Sequence, residues 1–210
     1  MQTDKIKVDG WGIGRDEALE VAERFSEYEG LDSKTSMRIR LLAEETLGMV
    51  TAIAEDFDAL FWLESTDDGR ALIHLVAETE MDFRKKDAFI AASRDKKNEA
   101  ATGLMGKIRE IIENGMYSMD EAGSLQAEYG GNVLMYSSMG MCDVSASPAI
   151  DYMWSLEKYR NNVEESKDRD PASIYAWDEL EKSIVGNIAD DVRVSVKGSK
   201  IELEIEKKIK

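Results

Sequence analysis

The sequence predicts an α+β fold: a two-layer sandwich with helices on one face of a mixed, mainly antiparallel sheet. Three observations predict it. Residues 192–205 alternate apolar and polar on both sides of Gly198-Ser199. Two strand-length apolar runs, Ala59 to Ser65 and Ala71 to Ala77, flank the turn signal Asp68-Gly69. Stripes at three-and-four spacing fill much of the rest, and the strands come as hairpins rather than as repeated strand–helix–strand units.

Each element follows in order. Lys5-Ile6-Lys7-Val8 alternates as a short strand does, and Asp9-Gly10 ends it. Gly10, Gly12 and Gly14 read as a turn; the last glycine comes too early for a dinucleotide fingerprint. A helix is expected from Arg15 to Tyr28, with Leu19, Ala22 and Phe25 on one stripe, Ala18 beside them, and Gly30 closing it. Asp32 or Ser33 caps the next helix, expected over Lys34 to Glu55. Leu42, Thr46, Met49, Val50, Ile53 and Phe57 form its core-facing stripe. Glu44 and Glu45 are neighbours on it and diverge by roughly 100°, so one lies nearer the buried face.

The run Ala71 to Ala77 is apolar on nearly both faces, as an interior strand of a covered sheet is. A helix opening at Asn98 places Leu104, Met105, Ile108, Ile111 and Ile112 on one side, and Gly115 ends it. A short helix is expected around Pro148 to Tyr159, then a charged linker from Glu164 to Asp170. Pro171 suits the first turn of a helix whose stripe is Ile174, Trp177, Leu180, Ile184 and Ile188. In the last hairpin, a Gly-Ser turn of type II′ pairs Val196 with Ile201, Val194 with Leu203 and Val192 with Ile205. It also sets Arg193 opposite Glu204 and Lys197 opposite Lys200.

Composition bounds the function. The 210 residues hold 43 acids and 27 bases, a formal charge of −16, which disfavours nucleic acid and anionic lipid as partners. Cys142 is the only cysteine and His74 the only histidine. No internal disulfide, zinc cluster or multi-histidine metal site is therefore expected, and a cytoplasmic location is. Cys142 reads as a small packed hydrophobe, and His74 as a core or sheet-surface histidine. No apolar run reaches 18 residues. Six of the eleven methionines fall between Met116 and Met153, and adaptable core is their first reading. One stretch breaks the acidity: Arg84, Lys85, Lys86, Arg94, Lys96 and Lys97 face only Asp87 and Asp95, a local excess of +4.

The order strand, helix, long helix, two strands, helix, closing strands resembles the GHKL ATPase fold of histidine kinases, DNA gyrase and anti-sigma-factor serine kinases. The last are the closest in size and order. The resemblance covers residues 4–114 and 190–209 of a single domain, with 115–189 as an insertion or elaboration. It implies that Glu45, in Leu41-Leu42-Ala43-Glu44-Glu45, is the acid that orients a nucleophile or water. The family's Mg²⁺-binding asparagine, four residues on, falls on Met49, or on Gly48 if counted from Glu44. Neither offers a side-chain oxygen to a hard cation. The adenine-reading carboxylate falls on Glu78 or Asp82. The basic stretch, with Lys85, Lys86, Lys96 and Lys97, takes the place of the lid. Gly103 and Gly106 take that of the glycine pair under the phosphates.

Two function classes follow: a regulatory protein with a protein partner, keeping the fold with degenerate nucleotide chemistry, or an ATP-binding serine kinase of a partner-switching pathway. The missing asparagine favours the first, because phosphoryl transfer depends on the metal. ATP or another anion is the ligand to expect, with Mg²⁺ doubtful. A small-ligand binder using the same pocket is a third, weaker reading.

Overall fold

The structure, a computed structural model, describes residues 1–51, 57–78, 104, 107–108, 111–112, 154–166, 171–197 and 200–210. Strand β1 (Ile6–Asp9) leads into α1 (Arg15–Tyr28) and α2 (Ser33–Thr51), then β2 (Asp58–Ser65) and β3 (Arg70–Glu78). Next come β4 (Trp154–Ser155), α3 (Leu156–Ser166), α4 (Pro171–Lys182) and α5 (Ile184–Ile188). β5 (Asp191–Lys197) and β6 (Lys200–Lys208) close the series. The six strands form one sheet in the order β1-β2-β3-β6-β5-β4. Every described pairing is antiparallel, so the expected mixed component is not seen among the described residues.

The alternation read from the sequence determines the layers. Phe61 and Leu63 of β2, Ile73 and Leu75 of β3, Val192 and Val194 of β5, and Leu203 and Ile205 of β6 are buried on one face. The helices cover that face: α1 packs on β1 and β2, α2 on β3 and β6, α3 on β5. Phe25, Ile39 and Leu42 supply the helical side of the core. Leu104, Ile108 and Ile112 are helical and buried in the same core, with Ile111 packed against it. Asn98, Met105 and Gly115 lie outside the described residues.

Local chemistry explains the boundaries. The Asp32 carboxylate accepts the N–H groups of Lys34 (2.9 Å) and Thr35 (3.1 Å), so Asp32 is the residue that caps α2. Gly69, at φ 79°, turns the β2–β3 hairpin: its N–H donates to Thr66 O (3.1 Å), while Thr66 N–H donates to Arg70 O (2.9 Å). Register pairs Val196 with Ile201, Val194 with Leu203, Val192 with Ile205, Arg193 with Glu204 and Lys197 with Lys200, all as expected. Gly198 and Ser199, and hence the turn type, lie outside the described residues. β3 lies between β2 and β6, an interior strand as expected.

Three expectations are corrected. In the segment expected to be helical around Pro148 to Tyr159, Trp154 and Ser155 pair with β5 as the strand β4 and helix starts at Leu156; residues 148–153 lie outside the described residues. Ser155 Oγ then accepts the Lys158 N–H (3.3 Å) and Asp191 Oδ1 the Glu157 N–H (2.9 Å), which starts α3 there. Glu164 to Ser166, read as linker, are the last turn of α3. The stripe from Ile174 to Ile188 is broken: Ile174 and Ile184 are exposed, while Leu180 and Val185 are buried. Helix α4 stops at Lys182, and Ser183 accepts the Gly186 N–H (3.1 Å) to cap α5, so the periodicity does not carry across. β4, α3 and α5 all contribute to the sheet or its core, so these elements extend the fold rather than hang from it.

Candidate functional site

Helix α2 separates its acids as the geometry of a helix requires. Glu44 is exposed and Glu45 half-buried. Met49, four residues on, is 3 % exposed and belongs to the core cluster. Between them Thr46 is fully buried and donates its hydroxyl to Leu42 O (2.6 Å), so the buried hydroxyl is satisfied within the helix. A magnesium ion is poorly served here, since Met49 offers only a buried thioether and Gly48 no side chain. Glu78 is exposed at the end of β3, opposite Asp58 on one side and Lys200 on the other. Asp82, Lys85, Lys86, Lys96, Lys97, Gly103 and Gly106 lie outside the described residues. So does Cys142.

A cleft of about 180 Å³ opens between the β1–α1 loop, α2 and β3, at the end of the sheet where Glu78 lies. Its floor is apolar: Val8, Leu47, Phe57 and Leu75. Its rim is Gly10, Trp11 and Gly12, with Asp9 and Arg15 as the charged lining among the described residues. Neither Glu45 nor Glu78 lines it.

The loop over this cleft is built from one carboxylate and two glycines. Asp9 Oδ1 accepts the N–H groups of Trp11 and Ile13, both at 2.9 Å, and the Asp9 N–H donates to Ile13 O (3.2 Å). Gly12 and Gly14 take φ of 87° and 79°, which other residues adopt only with strain. A β-carbon on Gly14 would stand 1.9 Å from Lys7 O. The result holds Trp11 83 % and Ile13 71 % exposed. The three glycines predict only a turn here; the further signal is an indole and a branched aliphatic chain interleaved with them.

The other face of the sheet carries a polar row crossing five strands. Trp62, His74, Glu204, Arg193 and Ser155 are successive register partners on β2, β3, β6, β5 and β4. Lys5 Nζ sits 4.2 Å over the Trp62 ring, and the Trp62 and His74 rings stack at 4.7 Å and 13°. Arg193 Nε donates to Asp191 (3.0 Å), and its terminal nitrogens reach Glu204 (2.5 Å) and Glu206 (2.8 Å). His74 lies 3.5 Å from Glu204 and 3.8 Å from Glu64. Burial pushes its pKa below the ordinary histidine value, against the pull of those two carboxylates and with a small push from Lys5. Trp62 Nε1 and His74 Nε2 are buried without a hydrogen-bond partner among the described residues.

No protein-family model matches the chain, and no curated protein or solved structure does. Among the described residues, no three His, Cys, Asp or Glu side chains are grouped to hold a metal ion. No helix there is long and apolar enough to cross a membrane.

Proposed function

We propose that this chain is a regulatory interaction protein on a histidine-kinase-like ATPase fold with degenerate nucleotide chemistry. It acts by binding a protein partner and not by transferring phosphate. One observation carries the reading: Met49, at the position the resemblance gives to the magnesium ligand, is packed into the core. Without a hard-oxygen ligand there, the metal on which phosphoryl transfer leans is not held by α2. The element order supports the fold half of the reading, from β1 through α2, β2 and β3 to the helical residues 104, 107, 108, 111 and 112 and the β5–β6 pair. The fixed loop supports the partner half. It presents an indole without the entropy cost of ordering on contact, and tryptophan is prominent among interface anchors. A cytoplasmic location goes with the reading, supported by the single cysteine.

Thermal melting with nucleotide tests the proposal. Millimolar ATP, with or without Mg²⁺, is expected to leave the melting temperature of the full chain unchanged, because a ligand of the native state would raise it. A magnesium-dependent rise, with ATP turnover abolished in Glu45→Gln, would overturn the proposal in favour of the serine kinase. Trp11→Ser is expected to weaken the interaction with the partner while leaving stability within about 0.5 kcal/mol of the parent, as exposed substitutions do.

A further inference from the structure

We infer that the cleft under the β1–α1 loop binds a small zwitterion with an apolar body, the chemistry of an aliphatic α-amino acid. Four elements of this cleft point the same way. Val8, Leu47, Phe57 and Leu75 come from four separate parts of the chain and converge on one apolar floor. Trp11 stands at the rim beside it. Asp9 and Arg15 bring opposite charges to the same lining. The volume, about 180 Å³, lies below the ~300–1,000 Å³ of pockets for drug-sized ligands and limits the occupant to a small metabolite.

The charges decide the class. Neither Asp9 nor Arg15 makes an ion pair among the described residues, with each other or with a third group. Asp9 Oδ1 is committed to the Trp11 and Ile13 N–H groups, while Oδ2 accepts from no described residue. A simple anion would be attracted by Arg15 and repelled by Asp9, and a simple cation the reverse. A ligand with both an ammonium and a carboxylate group satisfies both residues at once. The guanidinium is suited to a carboxylate by its paired N–H geometry, and the Asp9 oxygen to an ammonium. The aliphatic remainder then lies on the apolar floor. This inference uses neither Glu45 nor Glu78 and does not depend on the nucleotide reading.

Calorimetric titration of the full chain with L-leucine, L-valine, isocaproate and isoamylamine tests it. The last two are leucine without its amino group and without its carboxyl group. The expected result is that an amino acid binds, and that the matching single-charge analogue binds at least about tenfold more weakly, the worth of one charged hydrogen bond. Arg15→Gln is expected to weaken the amino acid by a similar factor while the ligand-free melting temperature is unchanged. Asp9→Asn keeps an oxygen acceptor for the loop, and is expected to weaken leucine while binding isocaproate more tightly than the parent chain does, because the repulsion of its carboxylate is gone. No binding of either amino acid at millimolar concentration would overturn the inference. So would equal binding of leucine and isocaproate, or undiminished binding by Arg15→Gln. None of these outcomes bears on the ATP melting test.

Discussion

His74 is held among groups that disagree about its charge. Glu204 and Glu64 favour the imidazolium, while burial and Lys5 oppose it, and burial prevails. In the unfolded chain the same ring titrates near about 6.5, so below that pH the unfolded state binds the proton more readily than the fold does. The contribution of the neutral ring is therefore complete above the unfolded pKa and is lost as pH falls through the lower folded value. Urea denaturation of the parent chain is expected to show stability declining between about pH 7 and pH 5.5, and His74→Gln is expected to flatten that decline. A slope unchanged by the substitution would remove His74 as its source. That His74 sits in a sheet was legible from its apolar run. Its stacking on Trp62 was not, because the β2–β3 register and the ring orientation both had to be known first.

Helices and loops sort the glycines into two kinds. Gly48 lies inside α2 with nothing within 4 Å of where a β-carbon would stand. Gly48→Ala is expected to stabilise the chain by about 0.5–1 kcal/mol, the usual gain for a helix interior. Gly14 is the opposite case, with positive φ and Lys7 O in the way. Gly14→Ala is expected to cost more than about 1 kcal/mol in the same chemical denaturation. Equal effects at the two sites would contradict the loop geometry. At this scale the sequence was informative where period and punctuation agreed. The bounds of α1 and the whole β5–β6 register are as read. It failed where a tertiary partner sets the boundary: the pairing of β4 with β5 keeps Trp154 and Ser155 out of the helix that starts at Leu156, and the cap at Ser183 splits the stripe between two helices. The cleft was out of reach for a different reason. The cleft is assembled from β1, the β1–α1 loop, α2, Phe57 and β3, so no local pattern contains it.

At the scale of the whole molecule, the core is one continuous layer between sheet and helices, and Phe61 is fully buried in its middle. Phe61→Ala is expected to lose about 3–5 kcal/mol, read from the denaturation midpoint. A loss below about 1 kcal/mol would mean that the helices do not close on the sheet as described. The position of β6 has a consequence for how the chain reaches this state. β6 comes after every other strand in chain order yet lies between β3 and β5, pairing residues 70–78 with 200–208. During synthesis, β3 leaves the ribosome long before β6, which pairs with it, is made. It then offers a bare backbone edge flanked by Ile73 and Leu75. A chain truncated before β6 therefore carries two aggregation-prone edges, on β3 and β5, in place of one continuous sheet, and β6 is the strand that protects both.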